Sequence, residues 1–143
     1  MEKIISILGS TGSIGTQSLT VCKKMGYRVK AITAHSNWKL MEEQIRQFNP
    51  EKAVLTDMEA AQKLKEAVSD TATTVLLGMD GVLEVASDPQ QDTVINALMG
   101  VAGLKPTVCA IEAGNNVALA NKETLVAGGK LVTELVKKKG VLL

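Results

Sequence analysis

Short apolar runs, many of them β-branched, alternate along this chain with longer stretches in which apolar positions recur every three or four residues. The short runs suit strands covered on both faces, and the longer ones suit helices with one inward face. Lys3–Leu8 predicts a first strand, and Ser13–Met25 a helix with Leu19, Cys22 and Met25 on one side. Arg28–Thr33 predicts a second strand, followed by a helix over Trp38–Phe48 with Met41, Ile45 and Phe48 inward. Lys52–Thr56 and Met58–Val68 repeat the unit, the helix turning Ala61, Leu64 and Val68 inward. Thr74–Leu77 reads as a short strand, Gly81–Ala86 as a helical segment and Thr93–Met99 as a strong strand. A helix is expected to start at Pro106 and to close at Gly114, since proline suits a first turn and glycine a C-terminal cap. Asn116–Ala120 is another strand and Lys122–Lys138 a helix with Leu125, Val132 and Leu135 inward, after which Gly140–Leu143 begins a further strand. Strands apolar on both faces and alternating with helices predict a doubly wound α/β domain with a mostly parallel sheet.

At 143 residues the chain has the size of one domain and can bury a substantial core. Hydrophobic residues are 45% but aromatics only 2%, so that core must be aliphatic. Sixteen basic residues stand against fifteen acidic ones, a net charge of +1. This balance argues against nucleic-acid binding through a basic surface, and the scarcity of aromatics removes stacking platforms. Lys137-Lys138-Lys139 suits the negative end of a helix dipole. Cys22 and Cys109 stand far apart without metal-ligand spacing, which favours free thiols and a reducing compartment. His35, the single histidine, cannot build a histidine metal site, and no metal ligands are assigned in this chain. No signal peptide and no membrane-length apolar run is visible, so a soluble cytoplasmic domain without membrane or nucleic-acid partners is expected. The end at Val141-Leu142-Leu143 falls inside an apolar strand, from which an N-terminal piece of a longer protein is expected.

Ile7-Leu-Gly-Ser-Thr-Gly-Ser-Ile-Gly-Thr16 places three glycines three apart between the first strand and its helix, the context of a Rossmann-like dinucleotide fingerprint. Gly9 would permit a tight turn, Gly12 the close approach of a pyrophosphate, and Gly15 the packing of helix on strand. Thr11, Ser13 and Thr16 offer hydroxyl donors beside the free amides of the first helical turn. A βα turn without ligand is the alternative. After the second strand, Ala31–Asn37 contains no acid to hold a ribose 2′-hydroxyl. His35, Ser36 and Asn37 are donors there and Lys39 adds positive charge, which favours a 2′-phosphate and hence NADP over NAD. Asn37 also suits the N-cap of the next helix. Met99–Leu104 and Leu119–Thr124 end later strands on the same side. A cation at a helix N-terminus, as at Lys122, is electrostatically misplaced unless something anionic compensates it, so Lys122 is expected to touch substrate.

Together, Ile7–Thr16, Ala34-His-Ser-Asn37, Gly100-Val-Ala-Gly-Leu-Lys-Pro-Thr107 and Leu119-Ala-Asn-Lys-Glu-Thr-Leu-Val126 resemble the N-terminal domain of the 1-deoxy-D-xylulose 5-phosphate reductoisomerase family. The resemblance runs in order through essentially the whole chain and makes residues 1–143 an NADPH-binding domain. It implies an NADPH- and divalent-metal-dependent (magnesium or manganese) homodimeric enzyme of isoprenoid precursor synthesis. That enzyme rearranges its sugar phosphate and reduces the product to 2-C-methyl-D-erythritol 4-phosphate. Position by position, it implies that Thr11, Gly12, Ser13 and Ile14 hold the pyrophosphate region and that His35, Ser36 and Asn37 surround the adenosine phosphate. Asn121 and Glu123 become cofactor contacts and Lys122 the substrate-contacting lysine. The family often carries glycine and a basic residue where this chain has His35-Ser36. Its metal carboxylates and closing loop are expected beyond Leu143, so the chain alone is expected not to turn over. Two other functions stay open: the cofactor domain of another NADP-dependent reductase, or a non-enzymatic nucleotide-sensing module.

Overall fold

The computed structural model describes residues 3–98, 100–120 and 122–140, and of residues 100, 101 and 122–128 the backbone alone. The elements are β1 (Ile4–Leu8), α1 (Ser13–Met25), β2 (Arg28–Ala34), α2 (Trp38–Phe48), β3 (Lys52–Leu55), α3 (Met58–Ala67) and β4 (Thr74–Leu77). There follow α4 (Gly78–Ala86), β5 (Thr93–Asn96), a 3-10 turn (Gly100–Gly103), α5 (Leu104–Glu112), β6 (Asn116–Leu119) and α6 (Lys122–Lys139). Six strands form one sheet in the order β4-β3-β2-β1-β5-β6, and all five pairings are parallel. The chain winds outward from β1 to β4, then returns to β5 on the other side of β1. The strand order therefore reverses between β1 and β5, and a crevice opens there above their carboxyl ends.

The helices divide between the two faces as expected of a doubly wound domain. Leu19 and Cys22 of α1, Met41 and Ile45 of α2, and Ala60, Ala61 and Leu64 of α3 pack with Ile5, Ile7 and Ile32 on one face. Val82, Val85 and Ala86 of α4, Ala110 and Ile111 of α5, and Val132 of α6 pack with Leu8, Ala31 and Val94 on the other. Both clusters are aliphatic, as composition requires.

Four expectations need correction. Met25 is 59% exposed, because the inward stripe of α1 ends at Cys22 and left-handed Gly26 turns the chain back toward β2. The fifth strand stops at Asn96, whose side chain bends into the following turn; Met99 lies outside the described residues. Helix α5 begins at Leu104, two residues before Pro106, because the 3-10 turn feeds straight into it. Helix α4 begins at Gly78, three residues earlier than expected. Gly114 does close α5, at φ +86°, whereas the strand expected from Gly140 falls, beyond that residue, outside the described residues.

At the opposite, amino-terminal margin of the sheet, Lys30 Nζ lies 2.8 Å from the Asp88 carboxylate, and both side chains are largely buried. Burial works against the charged Asp88, but the Lys30 contact and the Gln90 amide outweigh it and hold the carboxyl below the usual carboxylate range. A carboxyl depressed on folding stabilises the fold above its unfolded pKa and loses that contribution as pH falls through the folded value. Urea midpoints should therefore drop on acidification below about pH 4, and Asp88→Asn should flatten part of that drop. An identical acid profile for the variant would remove Asp88 from the acid response.

Candidate dinucleotide site

The loop after β1 is shaped by its glycines. Gly9 sits at φ +87°, and a Cβ there would lie 3.0 Å from the Ala97 carbonyl oxygen at the end of β5. The Gly9 and Ser10 amides both donate to the Thr33 carbonyl at 2.8 Å, fastening the loop to the end of β2. Gly15 is packed hardest, since a Cβ there would fall 2.0 Å from the Gly9 oxygen and 2.7 Å from Ser10 Cα. Gly12 differs. Its Cβ would meet nothing nearer than the Gly9 oxygen at 3.7 Å, in extended backbone any residue adopts.

Gly12 is the N-cap of α1 and supplies no side-chain cap, and no acid occupies the first turn. The first-turn amides are thus left to an external acceptor, with the positive end of the dipole behind them. Gly12, Ser13 and Ile14 are exposed and Thr11 half-buried. Thr16, expected as a further donor, instead gives its hydroxyl to the Gly12 carbonyl at 2.7 Å.

His35, Ser36 and Asn37 form the exposed turn between β2 and α2. Asn37 Oδ1 accepts from the Leu40 amide at 3.3 Å, so the residue does cap α2. Lys39 Nζ lies 5.9 Å from the centre of the Trp38 ring, a cation held beside this turn. No acidic side chain stands between Ala31 and Lys39. Strand ends β1 and β2 are adjacent and parallel, so the glycine loop and this turn border the same side of the sheet. Helix α6 begins at Lys122, which puts Lys122 and Glu123 in its first turn, after the edge strand β6 on the far side of β5. Their side chains, and Asn121 altogether, lie outside the described residues.

Several residues that fix this crevice were not anticipated from sequence. Ser10 Oγ donates to Gln44 Oε1 at 2.8 Å while Gln44 Nε2 donates back to the Ser10 carbonyl at 2.9 Å, all of it buried. Gln44 sits on the inward stripe of α2 between Met41 and Ile45, and a polar side chain on such a stripe is a legible sign of a buried partner. Asn96, 1% exposed at the end of β5, donates to the Gly103 carbonyl at 2.8 Å and Thr107 Oγ1 at 2.7 Å, and accepts from the Leu98 amide. It braces the second lip of the crevice. Cys22 is buried under α1, where burial pushes its thiol up, and Cys109 lies within α5, so neither stands at the strand ends as a reductase nucleophile would. Among the described residues no three His, Cys, Asp or Glu side chains converge as a metal site. None of the described helices is long and apolar enough to cross a membrane.

The 1-deoxy-D-xylulose 5-phosphate reductoisomerase family matches residues 5–129, which take in the glycine loop, the β2–α2 turn and the start of α6. The chain belongs to that family. A 1-deoxy-D-xylulose 5-phosphate reductoisomerase of Lachnoclostridium phytofermentans is 49% identical over 140 residues, 97% of this chain and 36% of its own length. The solved reductoisomerase of Zymomonas mobilis in complex with NADPH superposes with a TM-score of 0.94 at 36% identity, covering 100% of this chain and 38% of that one. A second solved reductoisomerase, in complex with NADPH, fosmidomycin and magnesium, gives a TM-score of 0.91 at 37% identity over 97% of this chain and 35% of its own. The chain thus spans a little over a third of the reductoisomerases it matches.

Proposed function

We propose that residues 1–143 are the NADPH-binding domain of an enzyme that converts 1-deoxy-D-xylulose 5-phosphate to 2-C-methyl-D-erythritol 4-phosphate. The observation that carries the cofactor reading is Gly12, whose bare surface faces open space beside uncapped amides at the reversal point of the sheet. Thr11, Gly12, Ser13 and Ile14 would hold the pyrophosphate, with amide donors fixed before the ligand arrives. His35, Ser36 and Asn37 would surround the 2′-phosphate, and Asn121 and Glu123 would touch the cofactor from the far lip. NADPH supplies a hydride; this chain binds and orients the molecule that carries it. Lys122 is assigned to the substrate, as a cation its helix dipole leaves unmatched.

The divalent metal, magnesium or manganese, does not fit the described residues and belongs in this reading to the remaining length that the relatives have. So do the rest of the substrate site and the homodimer contacts expected from the family resemblance. Free Cys22 and Cys109 support a reducing, cytoplasmic setting.

The test is a fluorescence titration with both reduced cofactors. NADPH should bind at least about tenfold more tightly than NADH, the scale of one well-matched charged contact. Equal affinities would overturn the assignment. Ser36→Asp should narrow the gap by setting a like charge against the 2′-phosphate; an unchanged NADPH affinity would place the phosphate elsewhere.

A further inference from the structure

The turn proposed to read the 2′-phosphate is held from the neighbouring strand. The Thr56 amide donates to the Ala34 carbonyl at 3.1 Å, and the Asp57 amide to the His35 carbonyl at 3.0 Å. A third contact joins side chains. His35 Nδ1 and Thr56 Oγ1 lie 2.6 Å apart, bridging the ends of β2 and β3 across 21 residues of sequence. Asp57 accepts the Ala60 amide as the cap of α3, so its carboxylate is committed to that helix. His35 is exposed, Thr56 is half-buried, and Nε2 has no hydrogen-bond partner among the described residues.

We infer that Thr56 is a positioning residue for NADPH selection: its hydroxyl holds the His35 ring so that Nε2–H is presented to the 2′-phosphate. The chemistry follows from the two groups. A phosphate only accepts hydrogen bonds at its oxygens, so Nε2 must carry hydrogen to meet it. Threonine's hydroxyl both donates and accepts. It donates to a bare Nδ1 when the neutral ring carries its hydrogen on Nε2, and it accepts from Nδ1–H when the ring is charged, so both ring forms that offer Nε2–H to a phosphate keep this contact. Holding the ring in one orientation also removes rotamer freedom that binding would otherwise have to quench. A 2′-hydroxyl, uncharged and smaller, gains far less from the same ring, so the device separates NADPH from NADH. The inference rests on the proposed NADPH site.

The experiment titrates the 143-residue chain with NADPH and with NADH, as wild type, Thr56→Val, Thr56→Ser, His35→Ala and the Thr56→Val/His35→Ala double variant. Thr56→Val keeps the shape and loses the hydroxyl, and circular dichroism confirms its fold. NADPH affinity should fall about fivefold in Thr56→Val, the scale of one hydrogen bond. NADH affinity should hold, and Thr56→Ser should recover the wild-type value. In the His35→Ala background Thr56→Val should cost nothing further, because the ring it positions is gone. Equal losses for both cofactors, or additive losses in the double variant, would make Thr56 a structural residue and overturn the inference. A wild-type preference for NADPH that survives Thr56→Val would overturn it while leaving the proposed function standing. No wild-type preference would remove both.

Discussion

Gly15→Ala is expected to lower stability by about 3 kcal/mol or more, enough to consume much of the margin of an ordinary domain. At most helical positions glycine-to-alanine gains about 1 kcal/mol through propensity. Here the added Cβ would stand 2.0 Å from the Gly9 carbonyl oxygen and 2.8 Å from its carbon. Those are backbone atoms, so no rotamer change relieves the overlap. The Gly9 loop cannot simply retreat, because its amides are bonded to Thr33 and Ser10 is locked to Gln44. Either α1 lifts off β1, exposing Leu19 and Cys22, or the loop breaks those bonds. Urea denaturation of the variant should show a strongly reduced midpoint. A midpoint equal to or above wild type would mean that the helix does not lie on the loop as described.

Gly12→Val should do the reverse: leave folding nearly intact and remove NADPH binding. Three residues away in sequence, position 12 has extended backbone and a Cβ direction that meets only the Gly9 oxygen, at an ordinary 3.7 Å. The valine would instead fill the space proposed for the pyrophosphate and cover the first-turn amides. Overpacking of about 1–3 kcal/mol corresponds to roughly 5- to 150-fold in affinity before the lost amide hydrogen bonds are counted. Titration should therefore fall below detection while the urea midpoint moves by less than about 1 kcal/mol in equivalent stability. Normal NADPH binding by this variant would reduce the glycine loop to a turn. The two substitutions also control for each other, since one tests the scaffold and the other the surface it presents.

The glycine spacing, the bounds of α1 and α2, the acid-free turn after β2 and the double winding of the chain were all legible before any coordinates. Each is a local property. Helix and strand periods report which residues of one element face inward, and glycine reports a backbone position that excludes a side chain. The run through Gly9, Gly12 and Gly15 says that three positions need to be bare, and not which one yields to a ligand. That was decided by where the Gly9 oxygen lies in three dimensions.

What the sequence could not carry were partnerships between elements distant along the chain. Ser10 with Gln44 spans 34 residues, His35 with Thr56 spans 21, and Lys30 with Asp88 is a pair between β2 and the approach to β5. A polar residue on an inward stripe announces that a partner must exist, because an unpaired buried group is costly, but its identity depends on strand order. The order β4-β3-β2-β1-β5-β6 puts the end of β2 between those of β1 and β3, and that adjacency brings the Thr33 carbonyl to the glycine loop and Thr56 to His35. The exposure of Met25 and the early end of β5 have the same origin. A helix period continues in sequence past the point where the sheet beneath it ends, and a strand pattern continues past the residue whose side chain is taken by a neighbouring turn. Sequence set the elements, their glycines and their inward faces; packing chose the pairs across them, because hydrogen-bond geometry is fixed by distance in space and not along the chain.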